Sequence, residues 1–293
     1  MSYVEPSVAI ELTGRARRRR LLRKRFLRRP FAVLGLLVAL AFISGAILAP
    51  WVTPYHADTL STDVLAHSSG KHLLGTDELG RDVFSRIIWG SRASIEAGVL
   101  ATLLAMVVAV PIGLVAGYYR GWIDPVIARL TDVLLAFPFL ILAVGLAAIF
   151  GPSLRNATIA LGVGSIPLLI RVSRGEALSL SEEDYVPAAI ANGASDARIL
   201  AKHIFPNMLS TLIVQATVTI PTAIIGEAVL SFLGLGVQSP VTSWGVMLSD
   251  AKDYLTTAPR LALYPGLAIF FCSLSFNLLG DGLRDILDPR TTR

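Results

Sequence analysis

The chain contains the segment Asp184-Tyr-Val-Pro-Ala-Ala-Ile-Ala-Asn-Gly193, which continues as Ala-Ser-Asp-Ala-Arg-Ile-Leu-Ala-Lys-His-Ile-Phe-Pro206 between two long apolar stretches. We call residues 184–207 the polar insert. Its pattern predicts a short helix, a break at glycine, a second short helix and a turn at proline. Because apolar runs dominate the rest of the chain, an ordered polar segment here favours a surface that is presented to a partner.

The composition is typical of a membrane protein. Of the 293 residues, 54% are hydrophobic and only 16% are charged, whereas soluble domains carry about 25% charged residues. The single cysteine, Cys272, excludes an intramolecular disulfide, and no His/Cys spacing indicates a metal site. Ten of the 26 Lys and Arg residues lie between Arg15 and Arg29, beside an apolar run. This indicates membrane topology and contact with anionic lipid, and no nucleic acid partner.

Six apolar segments approach the roughly 20 residues that a helix needs to cross a bilayer. The fourth is the weakest, because it is short and interrupted by Gly162, Gly164 and Pro167. Packing against neighbouring helices would allow such a segment to persist. The predicted spans cover residues 31–51, 97–119, 133–150, 156–170, 208–233 and 261–280.

The positive charges predict the orientation of these spans. With the N-terminus inside, 19 of the 26 Lys and Arg residues lie in cytoplasmic segments and 7 in external ones. The predicted fold class is therefore an all-α polytopic membrane protein with six transmembrane helices and both termini inside. Its segments are a basic cytoplasmic segment 1–30, a first transmembrane helix 31–51, an external loop 52–92, a core transmembrane domain 93–283 with a cytoplasmic loop 173–207 and an external loop 234–260, and a cytoplasmic tail 284–293.

The external loop 52–92 contains an amphipathic stretch. A surface-lying helix and a landing surface for an external partner are both compatible with its spacing. The apolar residues at helical spacing are Val83, Phe84, Ile87 and Ile88, and the charged residues on other faces are Arg81, Asp82 and Arg86.

Several side chains of the polar insert suit helix ends. Asp184 is predicted to cap the first helix, and Pro187 falls in the first turn, where a missing N–H is tolerated. Gly193 is predicted to stop this helix. Ser195 would cap a second helix at 196–203, and Pro206 would mark the turn into the fifth span.

Two alanines make the first helix of the insert both stable and slender. Ala188 and Ala189 combine strong helix propensity with little side-chain bulk. Such a helix can lie deep in a groove of another protein. An ordinary helix-turn-helix connection on the membrane surface has the same features, so the residues alone leave both interpretations open.

The spacing of the insert resembles the EAA motif of permease subunits in bacterial ABC importers. Pro187 stands where that motif has its acidic residue, and His203 stands at its first hydrophobic position. The residues that match are Ala188, Ala189, Gly193, Phe205 and Pro206. The resemblance implies that an ATPase docks at Asp184, Tyr185, Pro187, Ala188, Ala189, Gly193, Ser195 and Pro206.

Three further segments resemble the permeases of dipeptide, oligopeptide and nickel importers. They are Leu74-Gly-Thr-Asp-Glu-Leu-Gly-Arg-Asp82, Glu227-Ala-Val-Leu-Ser-Phe-Leu-Gly-Leu-Gly236 and Asn277-Leu-Leu-Gly-Asp-Gly-Leu-Arg284. The resemblance covers about residues 71–290. It is closest to the second, C-type permease, which has a long external loop after its first helix.

This resemblance implies the type I ABC importer transmembrane fold and the import of di- or oligopeptides across a bacterial or archaeal cytoplasmic membrane. A nickel chelate or another small solute is the alternative substrate. The implied partners are a second homologous permease, two cytoplasmic nucleotide-binding subunits and an external substrate-binding protein. ATP and Mg would bind to those partners. The chain itself would be a transport subunit without a cofactor and not an enzyme.

The residues agree that ATP is hydrolysed elsewhere, because Gly70-Lys71 is followed by His72 and not by the Ser or Thr of a phosphate loop. A stand-alone secondary transporter is the rival class. Such proteins carry midplane ionisable groups and paired broken helices in two halves. Here Glu227 is the one acid deep within a predicted span, which weakens that interpretation.

Glu227 itself has two interpretations. Ionisable groups within spans mark functional sites, so contact with substrate is one of them. We favour a position near the outer interface, where Glu227 pairs with a neighbouring polar group. The prolines within spans would act as hinges or as tolerated kinks; they are Pro111, Pro138, Pro167 and Pro221.

Overall fold

A computed structural model describes residues 26–287 of the chain. Within this range the regular structure is helical, apart from an isolated antiparallel bridge between Thr76 and Asp82. The helices are α1 Pro30–Val52, α2 Val83–Tyr119, α3 Ile123–Leu135, α4 Phe139–Phe150, α5 Leu154–Leu180, α6 Tyr185–Ala191, α7 Asp196–Ile199, a π-helical turn Leu200–Ile204, α8 Phe205–Phe232, α9 Trp244–Ala251, a 3-10 turn Lys252–Tyr254 and α10 Arg260–Leu287.

Two terminal predictions fall partly outside this range. The described residues exclude 1–25, which contain most of the predicted basic segment 1–30. They also exclude 288–293 of the predicted tail 284–293.

Six spans were predicted, and the described part of the chain has five or six helical stretches of membrane length. Within residues 26–287, five helical stretches are long and apolar enough to cross a bilayer, and α3 with α4 makes a sixth if the pair is one broken span. The two halves of this pair meet at 83°. A single helix at 133–150 is therefore wrong. The break falls at Pro138, whose ring disfavours a helical backbone at the preceding residue.

Two other predicted boundaries are wrong. The fourth span was expected at 156–170, but α5 runs over Leu154–Leu180 and includes Pro167. The amphipathic stretch of the external loop is not a separate surface helix, because α2 begins at Val83 and continues for 37 residues. At about 1.5 Å per residue, α2 is far longer than the bilayer core is thick.

The helices α2 and α5 pack more extensively than any other pair in the described chain. Gly113 lies at their contact, where an added Cβ would be 2.6 Å from the Cβ of Ser173 and 2.8 Å from the backbone nitrogen of Arg174. Small residues at such positions let two helix backbones approach closely, and dispersion contacts then stabilise the pair. The alanines Ala105 and Ala109 continue this contact and are fully buried.

The remaining helices surround this pair. Helix α10 packs on α1 and α8, and α9 lies against α8 and α10. Trp244 of α9 is fully buried at the centre of one apolar cluster, and Phe42 of α1 meets its ring edge-on at 5.6 Å. The polar insert precedes α8 and the segment leading to α9 follows it, so the two lie at opposite ends of the bundle.

The close contact at Gly113 predicts a large effect of one methyl group. We expect Gly113→Ala to destabilise the protein by about 1–3 kcal/mol, because the new Cβ has to displace backbone atoms of α5. The buried Cys272 allows this to be measured as the temperature at which a thiol-reactive dye begins to react.

Gly175→Ala is the matched control within α5. An added Cβ at Gly175 has nothing within 4 Å, so this change should leave the reaction temperature unchanged or raise it through better helix propensity. Equal behaviour of the two variants would contradict the close packing at Gly113.

Candidate functional site

The first helix of the polar insert, α6, rests on the bundle through Val186. This side chain is 3% exposed and belongs to an apolar cluster with Ile199, Ile204 and Met208. Tyr185 and Ala189 pack partly against the same cluster. One side of α6 is therefore packed against the bundle, through residues that the sequence analysis did not single out for packing.

The other side of α6 is open. Pro187, Ala188 and Ala191 are exposed and lie on one face of this helix. Ile190, at the margin of that face, is 55% exposed. We call these four residues the exposed face of α6. It is small-sided and apolar, which suits burial in a groove of another protein.

The two predicted cap hydrogen bonds of the insert are absent. Asp184 has helical backbone angles of φ −54° and ψ −26°, and its side chain accepts no cap hydrogen bond. An N-cap residue needs an extended backbone for its carboxylate to reach the first turn, which explains the failure. Ser195 has an extended backbone at ψ 153°, but its hydroxyl also makes no cap bond. Pro187 does lie in the first turn of α6.

Gly193 ends the helix as predicted. Its φ of +74° is left-handed, a conformation that disfavours residues with a Cβ. The N–H of Ala194 donates to the carbonyl of Ala189 at 3.0 Å, and the N–H of Gly193 donates to that of Ile190 at 2.9 Å. These bonds satisfy carbonyl groups that the helix end would otherwise leave free.

The predicted turn at Pro206 is wrong. Helix α7, the π-helical turn Leu200–Ile204 and α8 form one continuous helical run. The N–H of Phe205 donates to the carbonyl of Leu200, five residues back. Pro206 has no N–H and is tolerated in the first turn of α8, so the chain changes its helical register there and keeps its direction.

Polar contacts tie the insert to the end of α2. The Tyr118 hydroxyl donates to Asp196 Oδ1 at 2.9 Å. Just before the insert, Glu182 Oε1 accepts at 3.0 Å from Nη2 of Arg120, the residue that follows α2. Within the insert, the rings of Tyr185 and His203 lie 6.3 Å apart. Burial raises the pKa of the Tyr185 hydroxyl. The first helix of the insert is thus held by the apolar cluster around Val186, and the start of α7 is held by α2 through Tyr118.

Two arginines of α5, Arg171 and Arg174, pair with acids of α3. Arg174 Nη2 donates to Asp124 Oδ2 at 2.7 Å, and Arg171 Nη2 donates to Asp132 Oδ1 at 2.6 Å. The first pair is mostly buried and the second is exposed. Together they fix the short helix before the Pro138 break to the same end of the bundle.

A charge cluster occupies the opposite end. Five side chains form it: Asp77, Glu78, Arg81, Arg86 and Asp250. Arg81 Nε contacts Asp77 Oδ2 at 2.7 Å, and Arg81 Nη2 contacts Glu78 Oε1 at 2.6 Å. Arg86 bridges Asp77 and Asp250, the latter at 3.0 Å. We call these residues the outer charge cluster.

The outer charge cluster corrects the expected placement of Arg86. Its side chain is 3% exposed and does not face away from the protein. Burial raises the pKa of Glu78, and the neighbouring charge of Asp77 adds to the shift. Burial opposes the charge of Arg81, but Asp77 outweighs it and raises the pKa of that guanidinium. The motif around 74–82 therefore supplies the carboxylates that neutralise two arginines.

Glu227 is paired in the manner that we favoured. It is fully buried in α8, where Oε2 accepts from the hydroxyl of Ser94 at 2.9 Å and Oε1 from that of Ser231 at 2.7 Å. Ser94 also accepts from the backbone N–H of Trp244 at 3.3 Å. Glu227 thus joins α2, α8 and the start of α9. Its contact with substrate stays a prediction.

The comparisons with known proteins agree with this architecture. Residues 109–293 match the family described as the inner membrane component of binding-protein-dependent transport systems. Residues 18–69 match the N-terminal transmembrane domain of oligopeptide transport permease C. The chain is a C-type permease subunit of this ABC importer family. It is a multi-pass protein of the cytoplasmic membrane.

Relatives cover nearly the whole permease. The dipeptide transport system permease DppC of Alkalihalophilus pseudofirmus is 44% identical, over 91% of this chain and 88% of its own. The glutathione transport permease GsiD of Pectobacterium atrosepticum is 45% identical, over 91% and 89%. Among solved structures, the inward-facing MetNI methionine ABC transporter matches with a TM-score of 0.59 at 18% identity, over 69% of this chain and 97% of that chain. This last likeness concerns the fold alone.

The outer charge cluster predicts that one carboxylate is essential for stability. We expect Asp77→Asn to destabilise the permease by about 3 kcal/mol, because it breaks a buried pair and leaves Arg86 with Asp250 alone. The measurement is again the temperature at which a thiol-reactive dye begins to react with Cys272, which should fall.

Asp63→Asn is the control on the same loop. Asp63 pairs with Lys71 at 2.9 Å, but the Lys71 side chain is 59% exposed and that of Asp63 43%, so solvent screens their attraction. The control should react at the same temperature as the unchanged permease. A small effect of Asp77→Asn, no larger than that of the control, would contradict the cluster's role.

Proposed function

We propose that this permease translocates di- and oligopeptides into the cell, driven by ATPases that dock on the polar insert. The relatives named above support the substrate class, since one is named for dipeptides and the other for glutathione, which is itself a small peptide. On the predicted orientation, the polar insert faces the cytoplasm and the outer charge cluster faces outward.

The proposed assembly contains a second homologous permease, two cytoplasmic nucleotide-binding subunits and an external substrate-binding protein. ATP and Mg would bind to the nucleotide-binding subunits and not to this chain. The proposed contact residues are those of the insert: Asp184, Tyr185, Pro187, Ala188, Ala189, Gly193, Ser195 and Pro206.

One observation carries this proposal. Helix α6 is held on the bundle by Val186, while its exposed face presents small apolar side chains with nothing covering them in the described chain. Movement of α6 would pass to the bundle by two routes. One is the apolar cluster under Val186, and the other is the hydrogen bond between Asp196 and Tyr118 at the end of α2.

A bulky charge on the exposed face should uncouple transport. We expect Ala188→Arg to lower uptake of a labelled dipeptide at least about tenfold, because an unpaired cation cannot be buried in an apolar groove. Insertion and thermal stability should stay unchanged, since Ala188 is exposed. Ala188 is a cleaner site than Gly193, where any side chain also strains a left-handed backbone.

Ala188→Ser is the matched control, because it adds one small hydroxyl at the same position. It should retain most of the uptake and of the ATPase that co-purifies with the permease. Normal uptake and normal ATPase recovery in Ala188→Arg would disprove docking at this face.

The assembly is tested by mild crosslinking of native membranes that contain the tagged permease, followed by mass spectrometry of the purified material. We expect a second permease and two nucleotide-binding subunits. Recovery of the chain alone, from membranes that contain it, would favour a self-sufficient transporter.

A further inference from the structure

A groove runs along the surface between α2 and the beginning of α5. Its lower part is a cavity of about 680 Å³, and its outer part is a second cavity of about 340 Å³. Glu96 and Leu154 line both cavities, so the two lie side by side. Volumes of this size match the pockets that bind small molecules.

The wall that α2 contributes is polar at the outer end and apolar below it. Glu96, Leu100, Leu103 and Val107 recur at helical spacing and share one face of α2. The three apolar side chains are 44%, 55% and 65% exposed, respectively. The outer cavity adds His56, whose ring lies 4.5 Å from that of Trp89.

Unpaired charges of both signs line the groove. Glu96 on α2 and Arg155 on α5 are both exposed and both line the larger cavity. Neither makes an ion pair or side-chain hydrogen bond within residues 26–287. A third charge, Arg92, lies 5.3 Å from the centre of the Trp89 ring. In contrast, every charge of the outer charge cluster contacts a charge of the opposite sign.

We propose that this groove is the substrate-recognition site of the permease, and that it selects peptides by their two free ends. Glu96 would bind the terminal ammonium and Arg155 the terminal carboxylate, as charge-assisted hydrogen bonds. The apolar wall below would contact the side chains of the peptide without selecting among them. A ligand with a single charge would leave the other wall group unmatched, so the arrangement fits a zwitterion. The assignment rests on the proposed function and adds the chemistry of the substrate.

Terminus-blocked peptides test the assignment in the complete importer. The permease is reconstituted in proteoliposomes with its second permease, both ATPases and the binding protein. Maximal uptake is measured for Ala-Ala, N-acetyl-Ala-Ala and Ala-Ala-amide. Each variant is compared with the unchanged importer as a ratio between substrates, so that the preference of the shared binding protein cancels.

Each variant should slow the uptake of those peptides that carry the charged end which the replaced residue binds. We expect Glu96→Gln to slow Ala-Ala and Ala-Ala-amide about tenfold, the size of one lost hydrogen bond to a charged group, and to spare N-acetyl-Ala-Ala. Arg155→Gln should slow Ala-Ala and N-acetyl-Ala-Ala by a similar factor and spare Ala-Ala-amide. A merely structural role would slow all three substrates alike, and that result would overturn the proposal.

Asp253→Asn and Lys252→Gln are matched controls, because both residues are exposed beside α9 and line neither cavity. They should leave the substrate ratios unchanged. Failure of the unchanged importer to move any of the three peptides would instead overturn the proposed function. Normal uptake with unaltered ratios in the Glu96 and Arg155 variants would overturn the groove assignment alone.

Accessibility of the groove gives a second measurement. In a Cys272→Ser background, Leu103→Cys should react with a water-soluble maleimide in the assembled importer, and Ala-Ala should slow the reaction. Leu263→Cys on α10 is the control, since Leu263 is 56% exposed and lies outside the groove. Its reaction should be insensitive to Ala-Ala. Labelling of Leu103→Cys in the isolated chain but not in the importer would show that the second permease covers the groove, which would overturn the proposal.

Discussion

Gly113 and Gly117 let the backbones of α2 and α5 meet, and both ends of the permease depend on this contact. A Cβ at Gly117 would lie 2.6 Å from the carbonyl oxygen of Arg174, so no larger residue fits without moving α5. In a bilayer, helices gain little from the hydrophobic effect between them, and close packing of small residues becomes the main attraction. The fixed pair then positions the polar insert at one end and the groove at the other.

Charged side chains are arranged differently at the two ends of the helical bundle. At the end with the polar insert, the ion pairs of Arg174 with Asp124 and of Arg171 with Asp132 hold the short helix α3 on α5. The exposed face of α6 carries no charge. At the opposite end, the outer charge cluster buries two arginines among three acids, where removal of one partner is far more damaging than at a solvated surface. Glu96 and Arg155 stand apart from both arrangements, because they remain exposed and unmatched within the described chain.

Sequence patterns predicted most helices but missed where several begin and end. Residues 31–51 were predicted as a span and α1 covers Pro30–Val52, because an uninterrupted apolar run leaves little choice in a bilayer. The predicted cap at Asp184 failed, since capping depends on backbone angles that neighbouring packing sets. The burial of Val186, which holds α6 on the bundle, was also not predicted. A valine within a polar segment was a signal that could have indicated it.

The sequence alone determined the membrane class, the approximate number of spans and the helix stop at Gly193, because each follows from local hydropathy or from the backbone freedom of one residue. Tertiary structure alone decided that Arg86 is buried beside Asp77 and Asp250, that Glu227 meets Ser94, and that α2 and α5 enclose a groove. These contacts join residues that are up to 164 positions apart. Their partners are chosen by how the helices pack, which local sequence patterns do not encode.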